Sequence, residues 1–328
     1  MKEKILKLLK DNKNQIVSIQ HISERLKVSK TVICKYIDIL KEEGYDIESV
    51  PRRGYRLLSV PDVLTYEEIS DYLNTEYIGR EIIYIDSINS TNVKAKELAG
   101  NNSIEGTVII AEEQTQGRGR LGRSWVSPKK KGIWMSIILR PKIEPQDAVK
   151  ITQVAAAAVW KAINHIGINA KIKWPNDIVI NSKKVCGILT EMSGELNRLN
   201  YVVVGIGVNV NTDIDGFPEE IRHMATSLMI ETGNMINRKK LTALILNYFE
   251  ELYDELTKDG SFINSIKICK ENSVLIGKIV KITIRGEEQE VKVLDINEEG
   301  ELIVQDKEGN ISRVVSGEVS VRGLYGYV

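Results

Sequence analysis

The sequence predicts an α+β protein in three parts: an N-terminal winged helix-turn-helix, a central α+β sheet domain and a C-terminal small β-barrel. Three observations lead there. The apolar period is helical near the N-terminus, alternates between strand and helix through the middle, and after Ser273 is strand-like with regular glycine breaks. The 328 residues are too many for one ordinary core and fit two or three domains. Adding 24 glycines to the 42% hydrophobic residues makes about 49% of the chain apolar, a globular share that excludes disorder and fibrous repeats.

Taken in order, Ile5, Leu8 and Leu9 repeat at helical spacing, then Ile19, Ile22 and Leu26 behind Ser18, then Ile33, Tyr36, Ile37 and Leu40 behind Ser29. The last two helices are separated only by a short turn around Val28 and Ser29, and Gly44 suits a left-handed stop. Strands at Tyr45 to Val50 and Tyr55 to Leu58 then form a hairpin whose tip holds Arg52 and Arg53. Residues 1 to 60 carry 13 Lys+Arg against 8 Asp+Glu, a net of +5. This pattern places Ser29, Lys30, Thr31 and Lys35 where a major groove is read, and Arg52 and Arg53 beside a minor groove. A helical cap with solvated charges is the plainer alternative.

Pro61 opens a linker, so the first domain is taken as 1–62. The central domain, 63–270, is expected to hold strands at Glu81 to Ile85, Thr107 to Ala111, Gly132 to Leu139, Ala170 to Trp174, Ile178 to Ile180, Val185 to Met192 and Tyr201 to Asn209. Its helices are Thr91 to Leu98, an Ala-rich one from Asp147 to Ile166 stopped by Gly167, and a final one over Lys239 to Leu256. Residues 271–328 form the barrel domain, broken at Gly286, Gly300, Gly309 and Gly317. The longest apolar stretch, Val154 to Trp160, falls far short of the roughly 20 residues of a membrane span, and the N-terminus lacks a signal-peptide pattern, so a cytoplasmic protein is expected. Cys34, Cys186 and Cys269 show neither a disulfide framework nor metal-site spacing.

The formal net charge is zero, yet between Gln114 and Lys142 stand eight basic residues and no acidic one. Within that run lies Gly117-Arg118-Gly119-Arg120-Leu121-Gly122-Arg123-Ser124-Trp125. Its glycines permit close backbone approach to an anion, its arginines supply forks for phosphate or carboxylate, and Trp125 offers a face for a base. It matches neither common phosphate-loop motif, and an RNA-contacting loop has the same composition. Lys173-Trp174-Pro175-Asn176-Asp177, with Lys184 downstream, describes either a rigid ligand-binding corner or an ordinary strand-turn-strand. Gly205-Ile206-Gly207-Val208-Asn209 by itself indicates close packing.

Together these motifs resemble the bifunctional biotin protein ligases and biotin operon repressors. Ser90-Thr91-Asn92, Gln114, the GRGRLGRSW loop, KWPND, Lys184 in KKVCGIL and GIGVN occur in the family's order, and with the N-terminal winged helix and the C-terminal barrel the resemblance covers the whole chain. The resemblance implies a biotin/lipoate-ligase-like central domain and a small Src-homology-3-like barrel. It also implies that biotin and ATP with Mg2+ give biotinyl-5'-AMP, from which biotin passes to a lysine of the biotin carboxyl carrier protein of acetyl-CoA carboxylase. The adenylate would further act as corepressor on biotin operator DNA, with the chain a homodimer when adenylate-bound.

By the same resemblance, biotin contacts fall on Ser90, Thr91, Asn92, Gln114, Gly117, Arg118, Gly119, Arg120, Lys184 and Gly187. Adenylate contacts fall on Arg118, Arg120, Arg123, Trp125, Asn176, Asn209 and Arg322, with Trp125 closing over adenine. Lys184, Arg118, Arg120 and Asp177 carry the catalysis: the cations offset repulsion between carboxylate and α-phosphate, and Asp177 accepts the attacking lysine's proton or only orients the amine. Cys186 stands where a small residue is expected. The family also implies that ligand orders the glycine-arginine loop and the segment Asn211 to Met224.

Overall fold

Two serine-capped helices and a glycine that only glycine can replace build the first compact unit, Met1–Val63. Its helices are α1 (Lys2–Asp11), α2 (Ile19–Leu26) and α3 (Lys30–Glu42). Ser18 accepts the His21 N–H at 3.0 Å and Ser29 accepts that of Val32 at 3.4 Å, satisfying donors that open α2 and α3. Ile5, Leu9, Ile22, Ile33 and Leu40 meet in one fully buried core. Strands β1 (Asp46–Val50) and β2 (Gly54–Ser59) pair antiparallel, and Gly44, at φ +94°, turns the chain out of α3. At Gly54, with φ +136°, a Cβ would lie 2.0 Å from the Val17 carbonyl oxygen. The missing side chain lets Tyr55 and Val17 exchange backbone hydrogen bonds of 2.9 and 2.8 Å.

The second unit is Leu64–Val328. The computed structural model describes residues 1–195, 198–284, 287–315, 319–323 and 327–328, without the side chains of 284 and 319–322. After a short α4 (Tyr66–Ile69) come β3 (Ile82–Ile85), α5 (Thr91–Gly100), β4 (Val108–Ala111) and β5 (Gly132–Leu139). Then follow α6 (Ala148–His165), β6 (Lys171–Lys173), β7 (Asp177–Ile180), β8 (Lys183–Glu195) and β9 (Arg198–Asn209). These seven strands make one sheet in the order β3-β4-β5-β9-β8-β7-β6. Only β3 and β4 run parallel, joined by the crossover helix α5.

Alternation along the strands explains why their sequences are almost continuously apolar. In β5, Ile133, Met135 and Ile137 face the main core while Ile138 faces Ala95 and Ala99 of α5, so both faces are buried. The alanines of α6 let it pack against the sheet as well as against α8 (Arg238–Thr257) and α9 (Ile263–Glu271). A short α7 (Leu228–Thr232) precedes them. The expectation of a final helix ending at Leu256 is corrected by α9. Its nine residues bury only Ser265, Ile266 and Cys269 and leave Ile263 exposed, so the apolar period is too weak to read.

The remaining strands are β10 (Ile279–Ile284), β11 (Glu287–Ile296), β12 (Leu302–Gln305), β13 (Ile311–Val314) and β14 (Val319–Gly323). They form an antiparallel sheet in the order β13-β12-β11-β10-β14. Gly300 and Gly309 turn at φ +78° and +89°; the breaks expected at Gly286 and Gly317 lie outside the described residues. The Gly300 carbonyl accepts from Trp174 Nε1 at 2.9 Å and Gln153 Nε2 at 2.6 Å, tying this sheet to the turn between β6 and β7 and to α6.

Candidate active site

A cleft of about 470 Å3 opens over the middle of the seven-stranded sheet, and its floor is made of glycine. Gly187 of β8 and Gly207 of β9 stand opposite each other in register. The Trp125 indole packs onto them, so close that a Cβ on Gly207 would meet its Nε1 at 2.5 Å. Gly205 similarly accommodates Asn92, whose Oδ1 would be 2.2 Å from an added Cβ. The GxG pair is therefore close packing and cleft floor at once. Trp125, expected to close over adenine, lies here along that floor, edge-on to Trp134 at 6.5 Å between centroids.

One end of the cleft is neutral and rich in hydrogen-bonding groups. Gln114 Oε1 accepts from the Thr91 N–H at 2.9 Å and its hydroxyl at 3.1 Å, and Gln114 Nε2 donates to Ser127 at 2.9 Å. Ser136 Oγ lies 2.7 Å from the Thr91 hydroxyl and 2.6 Å from Asn92 Oδ1. Asn92 Nδ2 donates to Glu191 at 2.8 Å, and Glu191 also pairs with Lys96 at 2.6 Å. Burial opposes ionisation of Glu191, but Lys96, Asn92 and the more distant Arg118 outweigh it and hold the carboxyl below its ordinary range. Ser90, also buried, completes this wall.

The other end is charged. The glycine-arginine loop is a hairpin: Arg118 bridges Ser124, the Gly119 N–H donates to the Arg123 carbonyl at 2.7 Å, and the Trp125 N–H donates to that of Gly117 at 2.8 Å. A Cβ at Gly117 would sit 2.3 Å from the Trp125 carbonyl oxygen. Close approach at Gly117 thus serves the hairpin itself, while Arg118, Gly119, Arg120 and Arg123 line the cleft. Arg120 Nη1 donates to Asn176 Oδ1 at 3.1 Å. Burial lowers its guanidinium pKa and Arg123 adds to this, with Asp177 acting in the opposite direction.

Across from the hairpin, the Trp174–Pro175 peptide is cis and carries the chain into β7. Asp177, 8% exposed, pairs through Oδ1 with Lys184 Nζ at 2.6 Å, and its Oδ2 accepts from the Tyr327 hydroxyl. Asn176 and Asn209, expected as adenylate contacts, also serve as rivets. Asn176 Nδ2 donates to the Ile188 carbonyl at 2.8 Å, and Asn209 Nδ2 to that of Thr226 at 3.0 Å. Cys186 is fully buried, and that burial pushes its thiol pKa far up, leaving a small unreactive side chain.

The segment from Asn211 to Met224 runs as a strap over this end. Its Met224 carbonyl accepts from the Lys184 N–H at 2.8 Å, Lys131 pairs with Asp213 at 2.7 Å, and Phe217 and Ile221 line the cleft. Tyr327, which lines the cleft, and Ser136 and Glu191, which support Thr91 and Asn92 from behind, were not legible in the sequence. Only Ser136 left a signal, as the lone polar residue in the apolar run Gly132 to Leu139. Arg322 lies on β14 opposite Lys281, its side chain outside the described residues.

In the first unit, Ser29, Lys30, Thr31, Lys35, Arg52 and Arg53 are all exposed, the first four at the start and outer face of α3 and the arginines at the hairpin tip. The Ser29 hydroxyl is occupied as a helix cap, so Lys30, Thr31 and Lys35 are the groups of α3 left to reach outward.

Comparison with known proteins finds three family matches along the chain. Residues 84–209 match the biotin/lipoate A/B protein ligase family, 2–56 an HTH domain, and 275–322 the biotin protein ligase C terminal domain. The bifunctional ligase/repressor BirA of Bacillus spizizenii is 41% identical over 98% of both chains, and that of Bacillus subtilis 40% identical over the same share. A biotin protein ligase from Aquifex aeolicus, solved with biotin and ATP, superposes at a TM-score of 0.65 with 31% identity, covering 74% of this chain and 99% of that one.

Proposed function

This chain belongs to the biotin/lipoate A/B protein ligase family, and we propose that its cleft first joins biotin to AMP and then releases it to a protein lysine. The protein is an ATP-dependent biotin protein ligase and a DNA-binding repressor. The observation that carries the assignment of residues is the meeting of the neutral Gln114–Thr91 pair, backed from the core by Ser136, with the Lys184, Arg118, Arg120 and Arg123 cations in one cleft. Biotin's ureido ring is uncharged and needs paired donors and acceptors, which the first group supplies. Its carboxylate must approach an α-phosphate, anion against anion, and the second group offsets that repulsion.

In the first step a biotin carboxylate oxygen attacks the α-phosphorus and pyrophosphate leaves with the bonding electrons, giving biotinyl-5'-AMP. Positioning and charge stabilisation dominate such a step, and one preorganised donor contributes on the order of a hundredfold to a thousandfold. Lys184, on a strand and held at 2.6 Å from Asp177, is placed to serve both the carboxylate and the new acyl phosphate. Ser90, Asn92 and Gly187 shape the biotin end, and Gly117 and Gly119 shape the hairpin that brings the arginines to it; Trp125, Asn176, Asn209 and Arg322 are assigned to the adenylate. Among the described residues no group of three His, Cys, Asp or Glu side chains stands together as a metal site, and no step is assigned to Mg2+.

In the second step the amine of a carrier lysine attacks the acyl carbon. A C–N bond forms, the C–O bond to phosphate breaks, AMP departs, and the amine proton goes to Asp177 or to water. The acceptor is a biotin carboxyl carrier protein domain, modified in the cytoplasm. With the adenylate bound, two chains pair and their winged helices, using Lys30, Thr31, Lys35, Arg52 and Arg53, hold two half-sites of a biotin operator. Among the described residues no helix is long and apolar enough to cross a membrane. Pyrophosphate release on mixing the protein with biotin and MgATP tests the enzyme; its absence would sink the catalytic assignment. Sedimentation with and without biotinyl-5'-AMP tests the dimer.

A further inference from the structure

Among the groups lining the cleft, Tyr327 takes part in neither half-reaction. Beyond β14, the Val328 carbonyl carbon lies where a Cβ on Gly323 would be, at 2.3 Å. The neighbouring Tyr327 sits in the cleft. Its hydroxyl donates to Asp177 Oδ2, its carbonyl accepts from Lys173 Nζ at 2.5 Å, and the same ammonium lies 3.5 Å from the ring centroid. Burial and the Asp177 carboxylate push the phenol's pKa far above its usual value, so it stays protonated and can only be a donor toward Asp177.

Both Asp177 oxygens are thus engaged, Oδ1 by Lys184 and Oδ2 by Tyr327. An amine attacking the adenylate needs one of them, and Oδ1 faces a cation. We infer that Tyr327 is a specificity-determining residue of the transfer step: its hydroxyl holds the place on Asp177 Oδ2 that the incoming amine must take. A lysine delivered on a docked carrier has binding energy with which to displace it. A small free amine has none, so the phenol keeps the acyl group from the wrong nucleophiles. The inference rests on the reading of Asp177 as the group that receives the amine.

The test loads the protein with chemically made biotinyl-5'-AMP, removes the excess, and offers hydroxylamine or a biotin carboxyl carrier domain in parallel. Hydroxylamine attacks the same acyl carbon to give biotinyl hydroxamate and AMP, so both products are countable by mass spectrometry. Tyr327→Phe keeps the ring over Lys173 and removes only the hydroxyl. Gly323→Ala forces the Val328 backbone away and unseats Tyr327 from outside the cleft. In both variants the ratio of hydroxamate to carrier rate rises at least tenfold over the parent. A residue that merely supports the fold would slow both arms together and leave the ratio unmoved. A ratio within twofold of the parent in Tyr327→Phe overturns the inference. A parent protein that transfers to neither nucleophile refutes the ligase reading instead, which separates the two failures.

Discussion

Removing the Lys184 ammonium tests the site most directly. Its Nζ lies 2.6 Å from Asp177 and 5.2 Å from the centre of the Trp125 ring, with the side chain 23% exposed. A unit charge about 4 Å from another, at an effective dielectric of about 20, is worth about 4 kcal/mol. Loss of one preorganised donor at a developing charge costs about 2.7–4 kcal/mol by a separate route. Both estimates place Lys184→Ala at a hundredfold to a thousandfold loss in the rate of adenylate formation, read as pyrophosphate released with biotin and MgATP. The substitution also leaves the Asp177 carboxylate, 11% exposed in its side chain, without its cation. For a partly buried pair this costs about 1–3 kcal/mol of stability, a shift of several degrees in Tm. The double variant Asp177→Asn with Lys184→Ala separates the effects, because it removes the uncompensated charge without restoring a cation to the substrates. Stability should return and adenylate formation should not. A Lys184→Ala protein within threefold of the parent, or a double variant that recovers adenylate formation, would refute the reasoning.

Arg120→Gly removes the guanidinium that holds Asn176 at 3.1 Å and should let biotinyl-5'-AMP escape, seen as biotinylation of bystander proteins; retention equal to the parent contradicts this role. Gly207→Ala places a Cβ 2.5 Å from Trp125 Nε1, so calorimetry should show biotin affinity down at least tenfold, while operator binding without ligand is unchanged. Because Glu191 is held below its ordinary range, the Lys96 and Asn92 contacts contribute stability above about pH 4.3 that disappears as pH falls through the lower folded value. Lys96→Met should flatten that acid limb of a Tm-against-pH curve. Arg52→Ala and Arg53→Ala should each weaken operator binding similarly across sequences and reduce the salt slope by about one, with pyrophosphate release untouched.

Local periodicity made most of the fold legible, because a buried helix face or strand writes its period into the chain. Ser18, Ser29 and Gly44 marked the ends of α2 and α3, and the run Gly132 to Leu139 marked a strand buried on both faces. The helix α9 escaped because its single apolar side is too sparse to show a period. At the site, Arg118, Arg120, Asp177 and Lys184 were readable since their charges stand out in short motifs, and the structure gathers them into one cleft. What those motifs did not reveal was which groups are already in use. Gly119 N–H, Asn176, Asn209 and the Ser29 hydroxyl all have partners from residues near and far, and only geometry assigns them.

By itself, then, the sequence determined the chemical classes present: a basic winged helix, an arginine-rich hairpin, and a lysine and an aspartate near a tryptophan-proline corner. These are properties of short segments, encoded in residue type and spacing. The tertiary structure decided what the segments do to one another. Pairing Gly187 with Gly207 across two strands makes a floor for Trp125, Ser136 joins Thr91 from the middle of β5, and Tyr327 returns from the end of the chain to Asp177. Such contacts join residues 20 to 150 positions apart. Their energy depends on separations of a few ångströms that no local pattern specifies, so they exist only once the sheet has closed.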